Sequence, residues 1–177
     1  MTREWGRTVS PADIPDLIQA TEEFGKLWGS MKFPWHPSMD GTANDIQAID
    51  YLHYEGIGFP PCGIGGATLV AAEVIRRAAR IEWVRAHDGE LYLADADPSY
   101  VVICPRSRVE EIQLAGIPQF GRFAHFAVRA AIDCYGWLAD ADGALRRFIL
   151  ELDDGDVESL CRRLNEIRGQ NGIEELA

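Results

Sequence analysis

The hydrophobic period of the sequence changes abruptly after residue 80, and this change constrains the fold more than any other feature. Residues 67–80 place apolar side chains at the spacing of an amphipathic helix. Three short segments rich in β-branched and aromatic residues follow, and the turn sequences "HDGE" and "DPS" separate them. Because an Asp-Gly turn joins strands that run in opposite directions, we predict an antiparallel meander over residues 81–86, 90–96 and 100–104.

Helical periodicity also marks the sequence on both sides of the meander. Apolar residues in 14–31 and in 46–52 follow the spacing of a helix, and glycine or proline residues follow each segment. Residues 121–138 return to the helical period, and shorter helical patterns follow in the acidic residues 140–177. We therefore predict several helices that pack against a small antiparallel sheet, which is an α+β arrangement.

The length and composition of the chain favour a single domain. A chain of 177 residues with 47% hydrophobic content can bury one core, and no internal repeat or low-complexity tract divides it. We predict one globular domain over residues 1–177, with Trp83 largely buried. Its predicted parts are N-terminal helices (1–56), a helix, three-stranded meander and helix (66–138), and acidic C-terminal helices (140–177).

The chain is acidic, with 28 Asp and Glu residues against 17 Lys and Arg residues and a net charge of −11. Such a balance repels nucleic acid and anionic lipid, and it speeds the encounter with a basic protein. The sequence shows no secretory signal and no apolar run of the ~20 residues that a membrane span needs. We therefore expect a cytoplasmic protein that binds neither nucleic acid nor membranes. The candidate partner-binding residues are the acidic turn residues Asp95, Asp97, Asp153, Asp154 and Asp156, which also suit turns and N-caps.

Residues 58–66, "GFPPCGIGG", form a glycine-proline corner before the clearest helix. A P-loop needs a lysine after its last glycine, and a dinucleotide loop needs a third glycine and a preceding strand. The run "GIGGAT" has no lysine, lacks the final glycine of GxGxxG and follows Pro60-Pro61 instead of a strand. The four histidines form no HxH or HxxxH pair that would support a zinc site. We therefore expect no cofactor and no metal. We predict that Gly65 and Gly66 leave room where the helix packs close to the sheet.

Cys62 is the candidate nucleophile of the corner, because a helix N-terminus lowers the pKa of a thiol. Cys62, His87 and Asp95 or Asp97 imitate the order of the catalytic residues in transglutaminase-like enzymes. His87 falls in the "HDGE" turn, however, whereas that family has its histidine at the start of the first strand, where this chain has Ile81. We therefore predict no catalytic residue.

Several features of residues 66–109 follow one another in a fixed order. A glycine-led helix contains an Ala-Glu-Val step, a strand contains tryptophan, an Asp-Gly turn and a second strand follow, and a third strand ends at proline. In this order they resemble a bacterial domain-of-unknown-function family over about a quarter of the chain. The residues that carry the resemblance are Gly66, Ala72-Glu73-Val74, Trp83, Asp88-Gly89, the strand "LYLADA" and Pro105.

The resemblance implies a non-catalytic module, because small acidic bacterial proteins of this kind are often immunity partners of secreted toxins. We therefore expect an immunity-type protein that occludes the active site of a cognate, basic toxin domain. The alternatives are a cysteine-dependent hydrolase or transferase that uses Cys62, and a scaffold domain without a dedicated partner.

Overall fold

One antiparallel sheet and five α-helices make up the described part of the computed structural model, which covers residues 2–3, 5–30, 43–54, 58–95, 102–116 and 121–135. This arrangement confirms the predicted α+β class. The helices predicted within residues 140–177 lie outside the described residues.

Within the described residues, five strands form the sheet in the order β1-β2-β3-β4-β5, and all neighbours are antiparallel. They are β1 (Thr2–Arg3), β2 (Gly6–Val9), β3 (Glu82–Ala86), β4 (Leu91–Ala94) and β5 (Val102–Ile103). The last three strands confirm the predicted meander. The sequence did not predict β1 and β2, because segments as short as "GRTV" show no strand period. Their hairpin extends the sheet beside β3, with Thr8 opposite Val84.

The helices are α1 (Pro15–Ser30), α2 (Ala43–Tyr54), α3 (Gly63–Ala79), α4 (Pro105–Leu114) and α5 (Arg122–Tyr135). A 3-10 helix, Pro11–Asp13, precedes α1, and the hydroxyl of its N-cap Ser10 accepts a hydrogen bond from the Ala12 amide at 3.3 Å. The sequence did not predict α4. Besides its initial proline, that helix buries only Val109 and Ile112, so its apolar face is too narrow to give a clear period.

The core lies on one face of the sheet. Trp83, Leu93 and Ile103 lie beside one another in the strand register and belong to one apolar cluster with buried residues of the five helices. Trp83 is 1% exposed, which confirms its predicted burial. Helix α3 contacts α1, α2, α4 and α5, so it is the central helix of this core.

The carboxylate of Glu73 joins α3 to β3. It accepts hydrogen bonds from Trp83 Nε1 at 2.8 Å, from Arg77 Nε at 2.8 Å, and from Arg76 Nε and Nη2 at 2.8 and 2.9 Å. The bond to Arg77 is the i,i+4 pair that the sequence indicates. Burial raises the pKa of Glu73, but the bonds from Arg76, Trp83 and Arg77 bring it below its ordinary value. The buried carboxylate therefore stays ionised.

A second buried carboxylate joins α2 to α5. The two oxygens of Asp50 accept hydrogen bonds from the amides of Phe123 and Ala124, each at 2.9 Å, so its charge lies at the positive end of α5. One turn further along α2, His53 stacks on Phe59 with ring centroids 4.9 Å apart. Burial, followed by the charge of Arg122, lowers the pKa of His53. The histidine is therefore held in its neutral form at this junction.

The glycine-proline corner, residues 58–66, includes the first turn of α3, because the helix begins at Gly63 and not after the corner. Gly63 has a φ of +63°, and its amide donates to the Pro60 carbonyl at 2.8 Å, so glycine is required there. The prediction that Gly65 and Gly66 leave room for close packing on the sheet is wrong, because the close contacts are with Cys62 and α1 and involve Gly66 alone. A Cβ on Gly66 would overlap Cys62 and lie 3.1 Å from Ala20 of α1, whereas a Cβ on Gly65 meets nothing within 4 Å.

We expect Gly66→Ala and Gly65→Ala to change stability in opposite directions, although both replace a glycine in the first turns of α3. Gly66→Ala forces a methyl group into the contact with Cys62 and Ala20 and should lower the free energy of unfolding by about 1–3 kcal/mol. Gly65→Ala meets open space and should raise it by about 0.5 kcal/mol. Urea denaturation of the two variants tests this, and equal effects would show that the contact is not tight.

Candidate functional site

A groove of about 750 Å³ lies among α1, the first turns of α3, the β3–β4 turn and α4. The apolar part of its lining comes from three of these elements. Ile64 and Leu69 belong to α3, Leu91 to β4, and Val109 to α4. The groove therefore exists only when segments that are distant in sequence pack together.

The charged part of the lining is mainly acidic. Four carboxylates and two guanidinium groups line the groove, which leaves a local charge of 4 − 2 = 2 negative units. The carboxylates come from α1, from the β3–β4 turn and from α4, so they surround the apolar lining on several sides. These charged residues are Asp16, Asp88, Glu90, Glu110, Arg85 and Arg106.

Both arginines of the lining have contacts within the protein. Arg106 Nη1 lies 3.3 Å from Glu90 Oε2, and Arg106 Nε lies 3.6 Å from Glu110 Oε1. The Arg106 side chain is nevertheless 69% exposed. Arg85 Nη1 donates to the Gly89 carbonyl at 3.2 Å. Arg106 thus lies between two acidic residues that come from different elements.

The β3–β4 turn places two of the carboxylates at the groove. The Ala86 amide donates to the Glu90 carbonyl at 2.9 Å, and Gly89 takes a φ of +91° inside this three-residue loop. Asp88 Oδ1 accepts from the Glu90 amide at 2.9 Å, which fixes the side chain of Asp88 against its own turn. The Asp-Gly sequence therefore forms the predicted turn and also supplies acidic groups to the groove.

Cys62 lines the groove immediately before α3. Its amide donates to Glu23 Oε2 at 2.7 Å, and its thiol also hydrogen-bonds to that carboxylate. Burial, then the hydrogen bond to Glu23 and its negative charge, raise the pKa of Cys62 to about 12. A helix N-terminus has the opposite effect on a thiol, so the carboxylate and burial dominate here. The neutral thiol is therefore the favoured form.

Cys62, His87 and Asp95, which imitate a transglutaminase-like order in the sequence, do not line one common site in the structure. His87 lies in the β3–β4 turn as predicted, is exposed, and donates its amide to the Trp5 carbonyl at 3.2 Å. The groove lining includes Cys62 but not His87. Asp95 directly follows β4 and is half-buried, with an interaction of its own. Neither His87 nor Asp95 therefore lines the groove beside the Cys62 thiol.

The predicted partner-binding residues fall mostly outside the described residues. Asp95 is described, whereas the structure says nothing of Asp97, Asp153, Asp154 and Asp156. No sequence pattern indicates that the acidic residues of the groove lie together, since they come from three distant segments. The "HDGE" turn was the available signal, because it holds two of them.

Within the described ranges, no group of three or more His, Cys, Asp or Glu residues is arranged to hold a metal ion. Among the helices of the same ranges, none has the length and apolar character needed to span a membrane. Comparison of the chain with protein-family models, with curated proteins and with solved structures found no match.

We expect Cys62 to react slowly with iodoacetamide. A thiol pKa of about 12 leaves little thiolate at pH 8, so alkylation should be about tenfold slower than that of glutathione, or slower still. Glu23→Gln removes the charge beside the thiol and should speed the reaction several-fold. Mass spectrometry of the peptide that contains Cys62 measures the rate in the intact protein.

Glu22→Gln is the matched control, because Glu22 is exposed on α1 next to Glu23. It should leave the Cys62 rate unchanged. Alkylation of Cys62 far faster than that of glutathione, lost on His87→Ala, would instead support a catalytic cysteine.

Proposed function

We propose that the protein is a non-catalytic, cytoplasmic immunity-type protein that neutralises a cognate secreted bacterial toxin by occluding the toxin's active site. The observation that carries this proposal is the groove, which combines an apolar lining with an excess of carboxylates. A basic surface of a partner protein is the chemistry that such a groove complements.

The composition of the groove matches what a protein interface needs. Apolar groups provide the contact area that excludes water, and charged groups at the margin set the partner and speed the encounter. The net charge of −11 also speeds the encounter, since it attracts a basic protein over a longer distance. Asp95, which directly follows β4, and Asp97 remain candidates for a second acidic contact.

The raised pKa of Cys62 weighs against the enzyme alternative. A nucleophilic cysteine reacts as the thiolate, whereas burial and the negative charge of Glu23 favour the neutral thiol of Cys62. A scaffold function does not account for the acidic groove. Measured binding to a toxin domain decides between a scaffold domain and an immunity protein.

We expect the protein to bind the toxin domain encoded by a neighbouring gene and to protect cells that produce it. The association rate should fall as salt rises, because complementary charges steer the encounter. Asp16→Asn together with Asp88→Asn should slow association about three- to tenfold with little change in melting temperature, because both side chains are exposed. Stopped-flow or biolayer measurements give the rate.

Asp13→Asn together with Glu22→Gln is the matched control. Both residues are exposed, neither lines the groove, and the net charge changes by the same amount. Equal slowing by both pairs would show that total charge rather than the groove guides the partner. Failure to bind or to protect against the neighbouring toxin would reject the immunity function in favour of a scaffold domain.

A further inference from the structure

We propose that the groove receives an arginine side chain of a basic protein partner, in the position between Glu90 and Glu110 that Arg106 occupies in the unbound protein. This proposal rests on the proposed function only in that a basic protein is the partner. It adds which group enters the groove and which residue must leave it.

Arg106 is suited to be displaced. Its two contacts, 3.3 Å to Glu90 and 3.6 Å to Glu110, are longer than good charge-assisted hydrogen bonds, and its side chain is 69% exposed. Exposed ion pairs of this kind contribute little to folding stability. The fold therefore does not depend on Arg106 staying in place.

The two acidic partners of Arg106 differ in their exposure, and this favours a buried contact with the incoming group. The Glu90 side chain is 27% exposed and that of Glu110 is 60% exposed. Charge attraction is stronger where less water surrounds the carboxylate. A guanidinium group that binds Glu90 therefore gains more from charge attraction than one that binds Glu110 alone.

The apolar lining favours arginine over a small cation. An arginine side chain packs its three methylene groups on apolar surface while its planar guanidinium group binds carboxylates in two directions. Leu69 and Leu91, which are both half-buried, line the groove along with the two glutamates and can provide that surface. The groove thus offers contacts for both parts of the side chain.

A second copy of this chain is the less suitable occupant. Each copy carries a net charge of −11, so two copies repel each other, whereas a basic protein is attracted. The partner is therefore a different protein, with a basic surface that presents arginine.

The experiment uses a fluorescein-labelled peptide of alternating glycine and arginine and measures fluorescence anisotropy with the full chain. We expect Arg106→Gln to tighten binding about three- to tenfold, because the position between the glutamates becomes vacant. Glu90→Gln should weaken binding by a similar factor. A peptide with glutamate in place of arginine should not bind.

Arg108→Gln is the matched control, since Arg108 lies on the same helix, pairs with Glu111 at 3.2 Å and does not line the groove. It changes the net charge as Arg106→Gln does and should alter affinity less than about twofold. Melting temperatures of all variants show whether each is folded.

The proposal is overturned if Arg106→Gln and Arg108→Gln tighten binding equally, if Glu90→Gln and Glu110→Gln both leave it unchanged, or if folded Arg106→Gln protein does not bind the peptide. The toxin experiment is separate. If Arg106→Gln leaves toxin binding unchanged, only the displacement of Arg106 is rejected. If the peptide binds as expected but the toxin does not bind, only the immunity function is rejected.

Discussion

The hydrogen bond from Trp83 to the carboxylate of Glu73 is the interaction on which the arrangement of this protein depends. It connects the central helix α3 to the middle strand β3 at 2.8 Å, inside a region that is almost closed to water. Arg76 and Arg77 compensate the buried charge from the same helix. Because α3 and the β3–β4 turn form two sides of the groove, the position of the candidate site follows from this junction.

The acidic residues described in the structure have three physically different roles. Glu73 and Asp50 are buried, and each is stabilised by several hydrogen-bond donors, so they hold helices in place. Asp16 and Asp88 are exposed at the groove and remain able to attract a basic partner. Glu23 belongs to neither set, since it acts on the thiol of Cys62 and keeps it neutral. Net charge alone does not distinguish these roles.

Local features of the fold could be predicted from the sequence, whereas features that join distant segments could not. The meander, the burial of Trp83 and the Glu73–Arg77 pair depend on residues that are close in the chain. The β1–β2 hairpin, by contrast, is recognisable only through its pairing with β3. The pKa of Cys62 depends on Glu23, which is 39 residues away, and the groove depends on four elements at once. No spacing rule connects such residues.

A double-mutant cycle between Glu73 and Trp83 tests the central claim most directly. The free energy of unfolding would be measured by urea denaturation for the wild type, Glu73→Gln, Trp83→Phe and the double variant. If the bond positions α3 on the sheet, the two substitutions should couple by about 1–2 kcal/mol, because either one alone already removes the charged hydrogen bond. Effects that add within about 0.3 kcal/mol would show that the two side chains act independently and would contradict the account.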